Sequence, residues 1–366
     1  MRSPQTRQRD GRPRGSRFFA GHRRLIAILC IVVVIGLWLL LRPKTSVEDE
    51  LAAIDAAHAI PAGENAAEDY AALVLDATTP PPDPLLLPEE VRALTLAKPW
   101  RSADLPEAAR WVEDHRAIMH GLQQAARKPK CWFPVSDTER REAKYFAMEY
   151  QGAMLLLRAA NNDLGEGRVE PAMEKLLCVL QMERHLHSQA HPSEHSTGWA
   201  VGGEAMKRFG WVVVTQDIPD GWLTRLEAML PSVEETWDEE SRQWNRITSL
   251  YVRKRRGTRM RLLYILGRTM GPGRAATRHI YNAYLVESRA GRILLALRRH
   301  KNTTGSWPAA LSEIERDLPR ETFIDPVSRK RFIYRPTGDT FLLYAVGSNA
   351  ADEGGESGDD QFFWPR

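Results

Sequence analysis

Residues 136–180, SDTERREAKYFAMEYQGAMLLLRAANNDLGEGRVEPAMEKLLCVL, decide the fold class. Ser136 and Glu139 have the spacing of a capping box, in which each side chain takes an orphan backbone N–H at a helix start. Tyr145, Met148, Gly152, Leu155, Leu156 and Ala159 then recur at helical spacing and give one apolar face. Asn161 to Gly167 is polar and glycine-rich, which predicts a turn. Beyond it, Val169, Met173, Leu176, Leu177 and Leu180 make a second apolar stripe. Two amphipathic helices joined by a short polar turn read as an antiparallel hairpin, so the body is predicted to be mainly α.

The same signals extend both ways. Residues 47–77 read as two short helices broken at Ile60-Pro61-Ala62-Gly63, and Thr78 to Pro88 as an extended connector with five prolines (Pro80, Pro81, Pro82, Pro84, Pro88). Asp104 and Pro106 start a helix running to about Arg127. On the other side, a helix over about 196–216 carries Gly198, Gly202 and Gly203, small residues that let helices approach closely. Pro219 and Pro231 punctuate shorter helices. Residues 232–256 run from acidic to basic, the order a helix dipole favours. After Gly271-Pro272-Gly273 a long helix reaches about His300. From 301 the pattern alternates. Pro308 to about Asp317 reads as a short helix. Lys330–Arg335 and Thr340–Ala345 read as strands of a hairpin turning at Pro336-Thr337-Gly338-Asp339.

Charge sets the topology. Residues 1–24 hold eight arginines (Arg2, Arg7, Arg9, Arg12, Arg14, Arg17, Arg23, Arg24) and one acid, Asp10. Leu25 to Leu41 is an uncharged apolar run, about 26 Å long as a helix, at the short end of a membrane span. Ser46 to Glu90 has acids and neither Lys nor Arg. The basic flank stays cytoplasmic, so the C-terminal bulk is exported, anchored in the inner membrane by residues 25–41. The run ends Leu39-Leu40-Leu41-Arg42-Pro43, without the small residues of a signal-peptide cleavage site, and the flanks of Arg23-Arg24 match a twin-arginine signal poorly. With 27% charged residues the chain is no multi-span protein. Cys30 falls in the span. Cys131 and Cys178 fall in the exported part, where they either pair as a disulfide or stay as two thiols.

The chemistry-bearing residues form no enzyme signature: there is no phosphate loop, nucleophile elbow, H-E-x-x-H or C-x-x-C. His185, His187, His191 and His195 are the most chemical cluster, with Glu183 and Glu194 nearby. The four-residue spacing of His187, His191 and His195 would put metal ligands on one helix face, but Pro192 breaks that run. The basic stretch Arg253 to Arg261 reads as a solvated helix end, with contact to anionic lipid or polymer as the alternative; nucleic acid is not expected outside the membrane.

The hairpin resembles a tetratricopeptide unit through Gly167, Ala172 and Leu176, without a second copy at that family's period. A fuller resemblance lies in Gly305-Ser306-Trp307-Pro308, Asp325-Pro326, Phe332-Ile333-Tyr334, Phe341 to Asn349, Asp352, Gly354-Gly355, Asp359-Asp360 and Trp364. In order and spacing, residues 286–366 resemble the globular end of the type II secretion major pseudopilin. That resemblance implies a calcium loop, here Asn349, Asp352, Asp359 and Asp360, with Asn349 where the family usually has Asp; the oxygen-rich set is apt for a hard cation. The family's N-terminal half has no counterpart, since Gly21 is followed by His22-Arg23-Arg24 and Ile26 stands where it has Glu.

The expected organisation is a basic cytoplasmic tail (1–24), a transmembrane helix (25–41), an acidic, proline-rich connector (42–88), an extracytoplasmic α-helical domain (89–300) and a small α+β segment with antiparallel strands (301–366). The expected function is that of a membrane-anchored structural or interaction protein of the cell envelope, with the bilayer and other envelope or secretion proteins as partners. The alternatives are an accessory of a type II secretion-like apparatus and an extracytoplasmic hydrolase without a visible motif.

Overall fold

The structure, a computed structural model, describes residues 31, 46–75, 82–137, 143–230, 232, 234–251, 254, 272–354 and 360–364. Leu25–Leu41 apart from Ile31, the Ser136–Glu139 box beyond Asp137, the basic stretch apart from Lys254, and Asp359 lie outside them. Among the described residues no helix is long and apolar enough to cross a membrane. Contacts divide the chain into residues 1–50 and 51–366. In the first unit Ser46 and Asp49 cap each other's backbone N–H groups at 3.0 and 3.2 Å, opening α1 (Val47–Ala57).

In the second unit the sequence reading holds in its main lines. The described helices are α2 (Ala66–Leu75), α3 (Glu89–Ala97), α4 (Pro106–Asp114), α5 (Arg116–Ala125), α6 (Ala143–Gly165), α7 (Val169–His187), α8 (Pro192–Thr215), α9 (Asp220–Met229), α10 (237–251) and α11 (Pro272–Thr304). Helices α6 and α7 form the expected hairpin. α8 packs on both and on α11, and Leu155, Leu156, Leu176, Val179, Val201, Phe209, Ile293 and Leu294 fill the space between them.

Three readings are corrected. Asn161–Leu164 is not turn but the last part of α6, because its polar side chains are used inside the protein. Asn161 Nδ2 donates to the Thr95 and Leu96 carbonyls at 2.9 and 3.0 Å, capping the end of α3. Asp163 accepts from Arg168 at 2.9 Å and from Lys175 at 2.5 Å, tying α6 to α7. The turn shrinks to Glu166–Arg168, with Gly167 at φ +77°. The helix expected over 104–127 is broken at His115, whose Nδ1 donates to the Trp111 carbonyl at 2.7 Å. The short helix expected over 308–317 is two 3-10 turns, Leu311–Glu313 and Glu315–Asp317.

The C-terminal sheet has order β1-β2-β3 (Ile333–Thr337, Thr340–Ala345, Gln361–Trp364), all antiparallel, with Tyr334 opposite Leu343 and Thr337 opposite Thr340. Gly338 at φ +68° makes the tight β1–β2 turn. Phe341 and Leu343 are fully buried and Phe332 nearly so, while Tyr334 is half-buried and donates to the Pro308 carbonyl at 2.7 Å. The sheet is not an appendage. Phe332, Phe341, Leu343, Phe363 and Trp364 belong to the same apolar core as α6, α7, α8 and α11. Arg289 of α11 donates to the Ile324 carbonyl at 2.6 Å, closing the joint between α11 and the sheet.

Candidate functional site

The four histidines of residues 185–195 take three different environments. α7 ends at His187 and α8 begins at Pro192, so the run is broken at Pro192 as expected. His185 is core: Tyr70 Oη donates to its Nδ1 at 3.0 Å and its Nε2 donates to the Lys128 carbonyl at 2.8 Å. Burial pushes its pKa down to about 4, so it stays neutral. His191 is the N-cap of α8, its Nδ1 accepting from the Ser193 N–H while the Glu194 side chain takes the His191 N–H. His187 and His195 remain, and the turn between the helices brings them together with ring centroids 5.5 Å apart.

Around these two rings four helices converge. From α7, Glu183 Oε1 accepts from His187 Nδ1 at 2.7 Å; from α11, Tyr284 Oη donates to the same oxygen at 2.5 Å. From α8, His195 Nε2 donates to the Gln189 carbonyl at 2.8 Å and its Nδ1 faces Glu240 Oε2 of α10 at 3.6 Å. Thr236 Oγ1 donates to the other oxygen of Glu240. Trp199 (α8), Trp237 and Trp244 (α10) and Tyr281 (α11) pack ring to ring over the group, with centroids 5.2 to 6.4 Å apart. Gly202 makes the convergence sterically allowed, since a Cβ there would stand 2.8 Å from Glu183 Cγ and 2.9 Å from the Tyr284 ring.

The electrostatics follow from burial and pairing. Glu183 is 1% exposed and His195 6% exposed. Burial would lower the His187 pKa, but the Glu183 carboxylate outweighs it and holds the imidazole above its usual range. Burial would likewise raise Glu240, but His195, Thr236 and His187 together hold it below the usual carboxylate range. Glu183 Oε2, His187 Nε2, His195 Nδ1 and Glu240 Oε2 are buried atoms without a hydrogen-bond partner among the described residues. The sequence singled out Glu183, His187 and His195 but not Glu240, Tyr284 or the tryptophans. Trp237 and Trp244 are two helical turns apart, and Gly198 and Gly202 one turn, which is the signal that marks this face.

No family model, curated protein or solved structure matches this chain. The cluster therefore stands on its own geometry. Among the described residues no three His, Cys, Asp or Glu side chains are placed to hold a metal ion.

The described residues of the expected calcium loop are engaged within the protein. Asp352 accepts from Tyr344 Oη at 2.7 Å, from Arg335 at 2.8 Å and from the Gly354 N–H at 2.9 Å. Asn349 accepts from the Ala351 N–H at 2.7 Å and donates to Glu353 at 2.6 Å. Asp360 is buried at the start of β3. Asp359, the fourth residue of the expected loop, lies outside the described residues. Cys131 and Cys178 are separate buried thiols, not a disulfide, and burial pushes Cys178 up to about 12 and Cys131 well above its ordinary value.

Proposed function

We propose that this chain is a membrane-anchored structural or interaction protein of the cell envelope, oriented with residues 1–24 in the cytoplasm and the helical body outside. The observation that carries the reading is the arginine-rich flank before Leu25–Leu41 and the stretch after it, Ser46 to Glu90, that has acids and no Lys or Arg. The structure supports the second half of the reading through the character of the body. The His–Glu cluster is closed over by Trp199, Trp237, Trp244 and Tyr281, which pack ring to ring. The test is a pair of reporter fusions after Arg366. An alkaline phosphatase fusion is expected to be active and a cytoplasm-dependent fluorescent fusion dark; the opposite pattern overturns the orientation.

One observation favours the secretion-accessory reading as a second. The 33-residue helix α11 leads into a short antiparallel sheet, the order that the pseudopilin resemblance implies. Co-purification of the detergent-solubilised chain with secretion pseudopilins tests it; purification without them leaves the first reading alone.

A further inference from the structure

We propose that Arg92, Arg158 and Arg208, where α3, α6 and α8 meet, form a binding site for a phosphate-type oxyanion. The inference goes beyond the envelope reading and does not depend on where the chain resides.

Two of the three guanidiniums lie deep in the protein. Arg158 is 5% exposed and Arg208 8% exposed, while Arg92 is half-buried. Backbone carbonyls of α3 set their places. Arg158 Nη2 donates to the Arg92 carbonyl at 3.5 Å, and its Nη1 donates to the Met154 carbonyl of its own helix at 3.2 Å. Arg208 Nε donates to the Leu96 carbonyl at 2.8 Å. Carbonyls four residues apart on a helix lie on one face, about 6 Å apart along the axis. The Arg158 and Arg208 guanidiniums are therefore docked about one turn apart along α3, and Arg92 belongs to the same turn.

Charge is unbalanced around these groups. The nearby carboxylate, Glu204, is taken: Arg208 pairs with it at 2.5 Å and Lys207 at 2.8 Å. Among the described residues no carboxylate pairs with Arg92 or Arg158, and the Nε of each is a buried atom without a hydrogen-bond partner. Other acids on these helices do not serve. Glu89 and Glu90 are exposed in the first turn of α3. Asp163 is held by Arg168 and Lys175. Glu149 and Arg158 are about two and a half turns apart, on opposite faces of α6. The C-terminal end of α3 supplies about half a negative charge, which accounts for the carbonyl contacts but does not neutralise two guanidiniums.

An unpaired charge in the interior is costly, and a buried donor without an acceptor calls for one. Burial pushes the Arg158 guanidinium down to about 10, and Arg208 and Arg92 repel it further; Tyr150 and Glu204 offset this only in part. Arg158 is still charged at neutral pH, so the need for a counter-charge stands. Planar guanidinium forks match the oxygens of oxyanions. A tetrahedral phosphate presents oxygens on opposite sides and so can be shared between two forks, which a carboxylate cannot do as well. Tyr150, 43% exposed and close enough to act on Arg158, marks the side open to solvent. The Arg92 side chain makes no hydrogen bond or ion pair among the described residues, so it can swing aside to admit the ion and then close on it.

Equilibrium dialysis of the full-length chain in detergent against radiolabelled inorganic phosphate, with ionic strength held constant by chloride, tests the site. Saturable binding of a single phosphate per chain is expected, with an unfolding midpoint that rises over the same concentrations by mass action. Arg92→Gln is expected to weaken binding about tenfold or more, the loss of a charge-assisted hydrogen bond. Arg158→Met keeps an apolar side chain in place of the buried charge and is expected to abolish binding; should it fail to fold, Arg92→Gln decides alone. Arg225→Gln, at the exposed pair with Glu174, is expected to bind like the wild type. Glycerol phosphate in solution and phosphatidylglycerol in the micelles separate the two sources of a phosphoryl group: competition by the first assigns a soluble phosphate ester, and competition by the second alone assigns a lipid headgroup. Absence of saturable phosphate binding, binding that Arg92→Gln leaves unchanged, or an equal loss in Arg225→Gln overturns the proposal.

Discussion

Gly202 shows how much one missing methyl group decides. It stands where α7, α8 and α11 come closest, and an added Cβ meets Glu183 Cγ at 2.8 Å and the Tyr284 ring at 2.9 Å. Neither neighbour can retreat freely, because they hydrogen-bond each other at 2.5 Å. Gly202→Ala is therefore expected to destabilise the protein by about 1–3 kcal/mol, the usual range for overpacking. Gly203, the next residue, has nothing within 4 Å of its would-be Cβ. Gly203→Ala is expected to be neutral or to stabilise by up to about 1 kcal/mol through helix propensity. Thermal denaturation of the pair checks this, and equal effects would refute the close-approach argument. The glycine spacing showed in the sequence that helices approach here. Which glycine does the work depends on which face meets α11, and the sequence does not carry that information.

At the scale of elements, the described part of the loop between β2 and β3 is tied to both strands by Asp352. Its acids suggest a hard cation. In the fold, Arg335 of β1 already stands against Asp352, and Tyr344 of β2 donates to the same carboxylate. The Tyr344 bond, with the Gly354 N–H and Arg335, holds Asp352 below its usual range. Unfolding curves with calcium and with chelator are accordingly expected to coincide. A higher Tm in calcium would mean that the ion displaces Arg335 and that the loop is a true cation site. Arg335→Ala removes the competing cation, so it is the variant in which a calcium effect would first emerge. Strand alternation made the hairpin legible from its residues. The pairing of Arg335 with Asp352 was not, because it crosses 17 residues and depends on strand register.

For the molecule as a whole, the decisive fact is that one core serves both the helices and the sheet. Phe332, Phe341, Leu343, Phe363 and Trp364 are buried in the cluster that also holds Phe209, Ile293 and Leu294. At about 1.5–3 kcal/mol for each large apolar side chain buried, losing those five is comparable to the entire stability of a domain. A fragment of residues 46–304 is expected to lose its cooperative unfolding transition and to bind a hydrophobic dye, whereas 46–366 unfolds in one step. If the fragment kept the parent Tm, the C-terminal segment would be an independent domain.

By itself the sequence determined the helical class, the α6–α7 hairpin, the β1–β2 hairpin and the charge asymmetry around Leu25–Leu41. Each of these is a local periodicity or a local composition, readable within about twenty residues. Tertiary structure alone decided that Asn161 and Asp163 are helical connectors, that His185 is core while His187 and His195 meet in a cluster, and that Glu240 and Tyr284 complete that cluster. The reason is common to all of them. A buried polar group must find its partner wherever the packing brings one, and those partners lie up to about a hundred residues away. Tyr284 and Glu183, 101 positions apart, meet because four helices share one glycine-lined crossing.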